Sequence, residues 1–521
     1  MTPYSLPRLL SIVLLLAFQA SQAAPPPDLD RYAQQVLSTF EVPGMAVTIV
    51  ESGRPAVMRG YGVRRLGESA KVDEHTLFAI GSTTKAFTTA LLSMLVDEGK
   101  LTWDTRVVDV LPGFRMYDTY VSNEMTVRDL VVHRSGLGQG AGNLLFFPSS
   151  TFNRDELVHK LRYIKPVTSF RSTYAYSNLL YMVAGQVIQS VTGEPYEDVL
   201  RKRILTPLRM SDTSMSAKLP ADANRAWPHA RISGLVRGFG PVSALPAVID
   251  MDVGAAAGAL NSSVADLSHW LRLQLNRGFD PASNTRLYSE AMAREMWTPQ
   301  MLMPIPVPPK GLELAQMSYR AYALGWGVSD YRGQQVFAHA GSVPGAIALI
   351  VLVPQKQLAF AVVANAEESG VLTAMQARLL DHYLGLRSPD WIAAVAAAEK
   401  EKLAKLQQQL ADGRAKQQSL GNSGPSLPLT QYARRYRDAW YGTATIESTA
   451  SGLTLRFDHS PSLSGPLEHL HHDTFRAHWS DRYYEDAYVT FALKPDGSIE
   501  RMTLRTDLSS TYQELLFAPE P

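Results

Sequence analysis

Two β-prone runs, residues 45–50 and 56–61, flank Ser52-Gly53, and this spacing predicts a hairpin. From residue 82 to about 300 the apolar positions recur mostly at helical spacing. Start and stop signals divide that stretch. Residues 82–98 end at Gly99, Asn153 with Glu156 three places on forms a capping-box pattern, and residues 177–191 stop at Gly193. Ser263 with Asp266 opens a further helix that closes at Gly278. Strand-like runs return at 325–329, 336–339, 346–353 and 358–363, followed by a helix over 371–384. Strands at both ends with helices between them let the terminal segments close one antiparallel sheet, against which the middle forms a helical lobe.

Residues 391–418 are rich in Ala, Glu, Lys and Gln and predict a solvated helical connector, and residues 421–428 a flexible break. Beyond it come short alternating runs at 441–446, 453–457, 475–479, 488–493 and 501–505, with turn signals such as Pro495-Asp496-Gly497. They predict a small, separately folded all-β barrel or sandwich. No internal repeat of fixed period is found.

Composition narrows the chemistry. The 521 residues include no cysteine, which removes thiol nucleophiles, disulfides and Cys-ligated metal. Lys plus Arg number 50 against 49 Asp plus Glu, so no whole-chain field points to nucleic acid. At the N-terminus, Arg8, an apolar run over 9–18 and the small residues Ala20-Ser21-Gln22-Ala23-Ala24 predict an export signal. The run is shorter than the ~20 residues of a membrane span, and no other stretch reaches that length. An uncleaved anchor is the alternative; a processed chain would be periplasmic or secreted, with no stable membrane span.

Three motifs, each occurring once, carry candidate chemistry. Ser82-Thr83-Thr84-Lys85 places a serine and a lysine three apart, on one helix face, so the amine can reach the hydroxyl. Serine needs a base to become a nucleophile, and a desolvated lysine with a lowered pKa can serve. Phe78, Ala79, Ile80, Phe87 and Leu91 would keep water from the pair. A serine cap with an exposed lysine is the competing reading. In Tyr176-Ser177-Asn178 the phenol, its pKa lowered by nearby cations, could relay protons, and the amide of Asn178 could orient Lys85 and grip a substrate carbonyl; a half-buried core tyrosine beside a cap competes with it. His339-Ala340-Gly341 ends a strand-like run, where glycine permits close backbone approach. The Ser342 N–H could then join that of Ser82 in an oxyanion hole, with His339 as a tunable positive charge or donor beside the leaving group.

With these residues the chain resembles the serine β-lactamase and penicillin-binding-protein superfamily, most closely its class C branch with the related esterases and D-aminopeptidases. The family pattern is S-x-x-K, Y-x-N and a K-T-G-type triplet on a strand. Residues 78–87, Leu130-Val131-Val132-His133-Arg134-Ser135-Gly136-Leu137 and 176–185 add to the similarity, which covers about 30–385. The resemblance implies an α/β lobe with an antiparallel sheet flanked by helices, an all-α lobe, and a site in the crevice between them. It implies Ser82 as the acylated nucleophile, Lys85 and Tyr176 as the acid/base pair, and Asn178, His339, Gly341 and Ser342 on the substrate and oxyanion side. The last segment resembles the lipocalin-like barrels appended to some members. The resulting division is a leader at 1–24, a hydrolase domain at 25–388, a connector at 389–430 and a barrel at 431–521. His339 stands where many members carry lysine, which weakens a grip on a substrate carboxylate and favours ester or small-peptide substrates over efficient β-lactam hydrolysis.

No cofactor or metal is expected. His469, His471, His472 and His478 cluster near Asp473, and on a strand His469 and His471 would share a face, but no H-E-x-x-H helix accompanies them. The G-x-S-x-G string of an α/β-hydrolase does not occur. A non-catalytic β-lactam or peptide sensor, with the barrel as ligand cup, is the rival class. Residues 304–309 and Trp227-Pro228-His229 are expected to rim the crevice, and an oligomer assembled through the barrel is compatible with the sequence.

Overall fold

The computed structural model describes residues 24–506, apart from positions 216–218, 221, 235, 249 and 422, together with 515–520. The expected leader therefore falls, all but Ala24, outside the described residues.

Helix α1 (Leu29–Phe40) buries Leu29, Ala33, Val36, Leu37 and Phe40, the 3–4 spacing of a single face. The predicted hairpin follows as β1 (Gly44–Glu51) and β2 (Val57–Gly62). Next come α2 (Thr84–Asp97), α3 (Asn178–Thr192) and α4 (Val264–Leu275), whose ends agree with the glycine and serine signals. The remaining strands of the sheet are β3 (Met301–Leu302), β4 (Arg320–Tyr322), β5 (Gly327–Tyr331), β6 (Gln334–Val343), β7 (Ala346–Val353) and β8 (Leu358–Ala364). They join the hairpin in one sheet of order β2-β1-β8-β7-β6-β5-β4-β3, and every pairing is antiparallel.

Both faces of the sheet are covered. On β7, Ala348, Ile350 and Leu352 enter a core shared with α2, α3 and α4. Ile347, Leu349, Val351 and Val353 enter a second core with α1 and α5 (Ser369–Tyr383). All eight residues of β7 are buried, which explains why that run is uniformly apolar rather than alternating. At about 1.5–3 kcal/mol for each large aliphatic chain removed from water, the two cores hold the sheet from both sides.

Helix α6 (Trp391–Ser419) is the connector. Its first turns are not solvated: Trp391, Ile392 and Val395 belong to the outer core, and the Trp391 indole donates to the buried Asp381 at 2.7 Å. The alanines, glutamines and charged residues along the rest of the helix concealed this apolar anchor.

The C-terminal region is a closed barrel of eight strands. They are β9 (Arg435–Asp438), β10 (Gly442–Thr449), β11 (Gly452–Phe457), β12 (Ser464–His471), β13 (Thr474–Ala477), β14 (Ala487–Leu493), β15 (Ile499–Thr506) and β16 (Leu515–Pro519). Five of these were expected; β9, β12 and β16 were not. Rings fill the interior: Tyr432 lies 5.2 Å from Phe475 and 4.9 Å from Phe491 between centroids, and Phe457 lies 5.7 Å from Phe517. These rings pack against one another inside the barrel. A register shift separates His469 from His471 on β12, so the expected shared face is interrupted. His478 is instead engaged by Asp486 and Glu468 at 2.7 and 2.8 Å.

Candidate active site

Ser82 lies in a 3₁₀ turn, Gly81–Thr83, that leads into α2. Two glycines let this turn meet β6 backbone to backbone. A Cβ on Gly81, whose φ is 51°, would stand 2.7 Å from the Ser342 nitrogen; one on Gly341 would stand 1.9 Å from the Ile80 oxygen and 3.1 Å from the Ser82 nitrogen. Strand β5 pairs with β6 only up to Ala338, leaving the edge of residues 339–343 open on that side. The β6–β7 hairpin closes on the Val343/Ala346 pair. Bonded and non-bonded pairs alternate along such a ladder, which directs the Ser342 N–H to the open edge that faces Ser82.

Lys85 sits one helical turn below Ser82 and is fully buried. Its Nζ lies 3.0 Å from Ser82 Oγ, 2.8 Å from Asn178 Oδ1 and 2.7 Å from the Ala257 carbonyl oxygen. Those acceptors are a hydroxyl, an amide and a backbone carbonyl, none of them a carboxylate. Burial accordingly pulls its pKa well below the ordinary lysine value. A neutral amine has two N–H groups and one lone pair. With Asn178 and Ala257 accepting the two hydrogens, the lone pair is left for the Ser82 hydroxyl. Phe78, Ile80, Phe87 and Leu91 are buried and Ala79 partly so, and Phe87 stacks on Trp270 at 3.8 Å.

Tyr176 precedes α3, and its hydroxyl interacts with Ser82. Its ring lies 4.8 Å from Lys85 Nζ. The expected lowering of the phenol pKa does not occur. Burial raises it above the ordinary value, the Ser82 interaction opposing only in part.

A family model described as Beta-lactamase matches residues 29–384, more than half of the chain. The chain belongs to the Beta-lactamase family. A second model, a domain of unknown function (DUF3471), matches residues 421–519. Among curated relatives, the unguisins hydrolase ungD of Aspergillus violaceofuscus is 28% identical over 489 residues, covering 86% of this chain and 82% of that protein. Among solved structures, the octameric penicillin-binding protein homologue from Pyrococcus abyssi aligns over 94% of this chain and 99% of its own, at 20% identity and a TM-score of 0.57. The D-amino acid amidase from Ochrobactrum anthropi SV3 aligns over 69% of this chain and 98% of its own, at 22% identity and a TM-score of 0.55. These two show likeness of fold.

In this Beta-lactamase-family chain the third motif differs from the sequence expectation. His339 lies within β6 rather than at a strand end, and it is buried. Its Nδ1 donates to the Ala340 carbonyl at 2.7 Å, and its Nε2 accepts from the Tyr322 hydroxyl at 2.9 Å. Burial lowers its pKa to about 3. Both nitrogens are occupied within the protein, so His339 is neither a positive charge nor a free donor. His229, expected at the rim, is buried, with the Leu66 N–H donating to its Nε2 at 3.0 Å. The 304–309 loop is mostly exposed.

Three residues around the site carried no assigned role in the sequence reading. His133 is buried, accepts the Ser177 N–H on Nδ1 at 3.1 Å, and packs its ring 4.2 Å from that of Tyr176. Tyr322 serves His339, and Asn143 Oδ1 accepts from Asn178 Nδ2 at 3.4 Å. Only His133 had a signal, since it lies in the 130–137 stretch of family similarity.

Proposed function

We propose that this protein is an exported serine hydrolase that forms an acyl-enzyme on Ser82 and acts on small ester, amide or peptide substrates. The observation that carries the reading is the fully buried Lys85 amine, 3.0 Å from Ser82 Oγ, with two fixed acceptors for its other hydrogens. Ser82 Oγ attacks the substrate carbonyl carbon while its proton passes to Lys85 Nζ. The N–H groups of Ser82 and Ser342 receive the oxyanion of the tetrahedral intermediate. Tyr176, a neutral phenol beside Ser82, hands a proton to the departing alcohol or amine. Water then attacks the acyl group, and the same groups return the protons.

The neutral His339 bears on substrate class. A motif without a cation offers no charge partner for the carboxylate of a β-lactam, which favours esters and small peptides. The name of the unguisins hydrolase relative accords with hydrolysis. Export rests on the arginine, apolar run and alanines of residues 8–24; the mass of the protein recovered outside the cytoplasm should correspond to a chain lacking about its first 24 residues.

Hydrolysis of activated short-chain esters tests the chemistry. Turnover is expected in the native protein and its disappearance in Ser82→Ala. Undiminished turnover in that variant, or stoichiometric labelling without turnover in the native protein, would contradict it.

A further inference from the structure

The turn of the β6–β7 hairpin, Pro344-Gly345, is held from outside the hairpin. The Gly345 N–H donates to Glu367 Oε1 at 2.8 Å, and the Gly345 carbonyl accepts from the His229 N–H at 3.0 Å. The same Glu367 Oε1 accepts a second hydrogen bond, at 2.5 Å, from the hydroxyl of Tyr483 in the barrel. Its other oxygen stands 3.7 Å from Arg237, whose guanidinium lies 4.7 Å over the Tyr483 ring. Tyr483 belongs to the loop between β13 and β14 and is 4% exposed. Burial and the Glu367 charge keep its phenol protonated, so it donates.

The barrel also reaches the opposite wall of the crevice. The Thr151 N–H donates to the His459 carbonyl at 3.0 Å, and Phe152 stacks on the His459 ring at 4.0 Å. Phe147 meets the edge of Tyr483 at 6.4 Å. These residues follow Asn143, the partner of Asn178. The barrel thus contacts both the hairpin turn, through Glu367, and the segment that follows Asn143.

We propose that Tyr483 is a positioning residue for the hydrolase site: through Glu367 it fixes the hairpin turn, and with it the Ser342 N–H opposite Ser82. The inference rests on the reading of Ser342 as an oxyanion donor. Such donors act only within a few tenths of an ångström of 2.7–3.1 Å from the developing charge. A charge-assisted O–H···O⁻ bond is among the stronger restraints available to the turn.

Tyr483→Phe removes one oxygen and keeps the ring against Arg237 and Phe147. We expect ester kcat to fall roughly tenfold, a fraction of the loss of a whole oxyanion donor, with KM within about twofold and faster deuterium exchange at the Gly345 amide. Glu367→Gln, which retains an acceptor, should keep more activity than Glu367→Ala. The double variant Tyr483→Phe/Glu367→Ala should be no slower than Glu367→Ala alone, because both act through one oxygen. An unchanged kcat in Tyr483→Phe, whether or not exchange changes, would overturn the proposal, as would single effects that multiply. Exchange at Gly345 is read without substrate. Absence of turnover in the native protein would therefore count against the hydrolase reading, while unchanged exchange in Tyr483→Phe would count against the latch.

Discussion

The two walls of the crevice bring different parts of the chain to Ser82. On the helical wall the converging atoms belong to side chains: Lys85 Nζ, Asn178 Oδ1 and the Tyr176 hydroxyl. On the strand wall the side chain of the motif turns inward, where His339 is closed off by Tyr322 and Ala340, and the backbone at Gly341 and Ser342 faces the turn. Residue identity therefore matters on the first wall, whereas the missing side chain of glycine matters on the second. On the proposed mechanism no charge from His339 is used at the third motif.

Substitutions can break this contrast. The largest effect is expected for Lys85→Ala, which leaves Ser82 without its base: kcat/KM for ester hydrolysis should fall at least ~10³-fold, or about 4 kcal/mol of barrier. A loss under tenfold would assign the base elsewhere. Gly341→Ala comes next. Its Cβ would meet the Ile80 carbonyl oxygen at 1.9 Å, so the walls must part. A loss of ~10²-fold in kcat is expected, with destabilisation of about 1–3 kcal/mol in denaturant melts; native-like activity would mean that the close backbone approach is dispensable.

The smallest effect belongs to His339→Gln. With a pKa of about 3, His339 does not titrate in the working range, and kcat should drop less than ~10-fold with the pH profile unmoved. Stability should respond differently. Between about pH 3 and 6.5 the unfolded chain binds a proton at this histidine that the folded chain refuses. Native stability therefore declines as pH falls through 6.5, and the variant should lose part of that slope in acid unfolding titrations.

What the sequence disclosed follows the same division. The S-x-x-K pair and the Asn153/Glu156 capping box were legible because their partners lie within one helical turn, and both caps of the box form. Ser82 and Lys85 meet as the spacing requires. The inward turn of His339 was not legible: it depends on Tyr322, brought alongside by the pairing of β4, β5 and β6. The direction of the Tyr176 shift failed for a related reason, since burial is a property of the assembled fold. In the barrel, β12 escaped notice because Pro466 and two histidines interrupt any period-two pattern, while β9 is only four residues long.

The central claim is that burial makes Lys85 a neutral base for Ser82. The rate at which a fluorophosphonate labels the protein, followed by intact mass across pH, tests it most directly. The account predicts a single adduct on Ser82, absent in Ser82→Ala, with a rate that rises through an ionisation well below 10.5, the ordinary lysine value, and loses that rise in Lys85→Ala. Labelling at another residue, or a rate on Ser82 whose pH dependence is the same with and without Lys85, would contradict it.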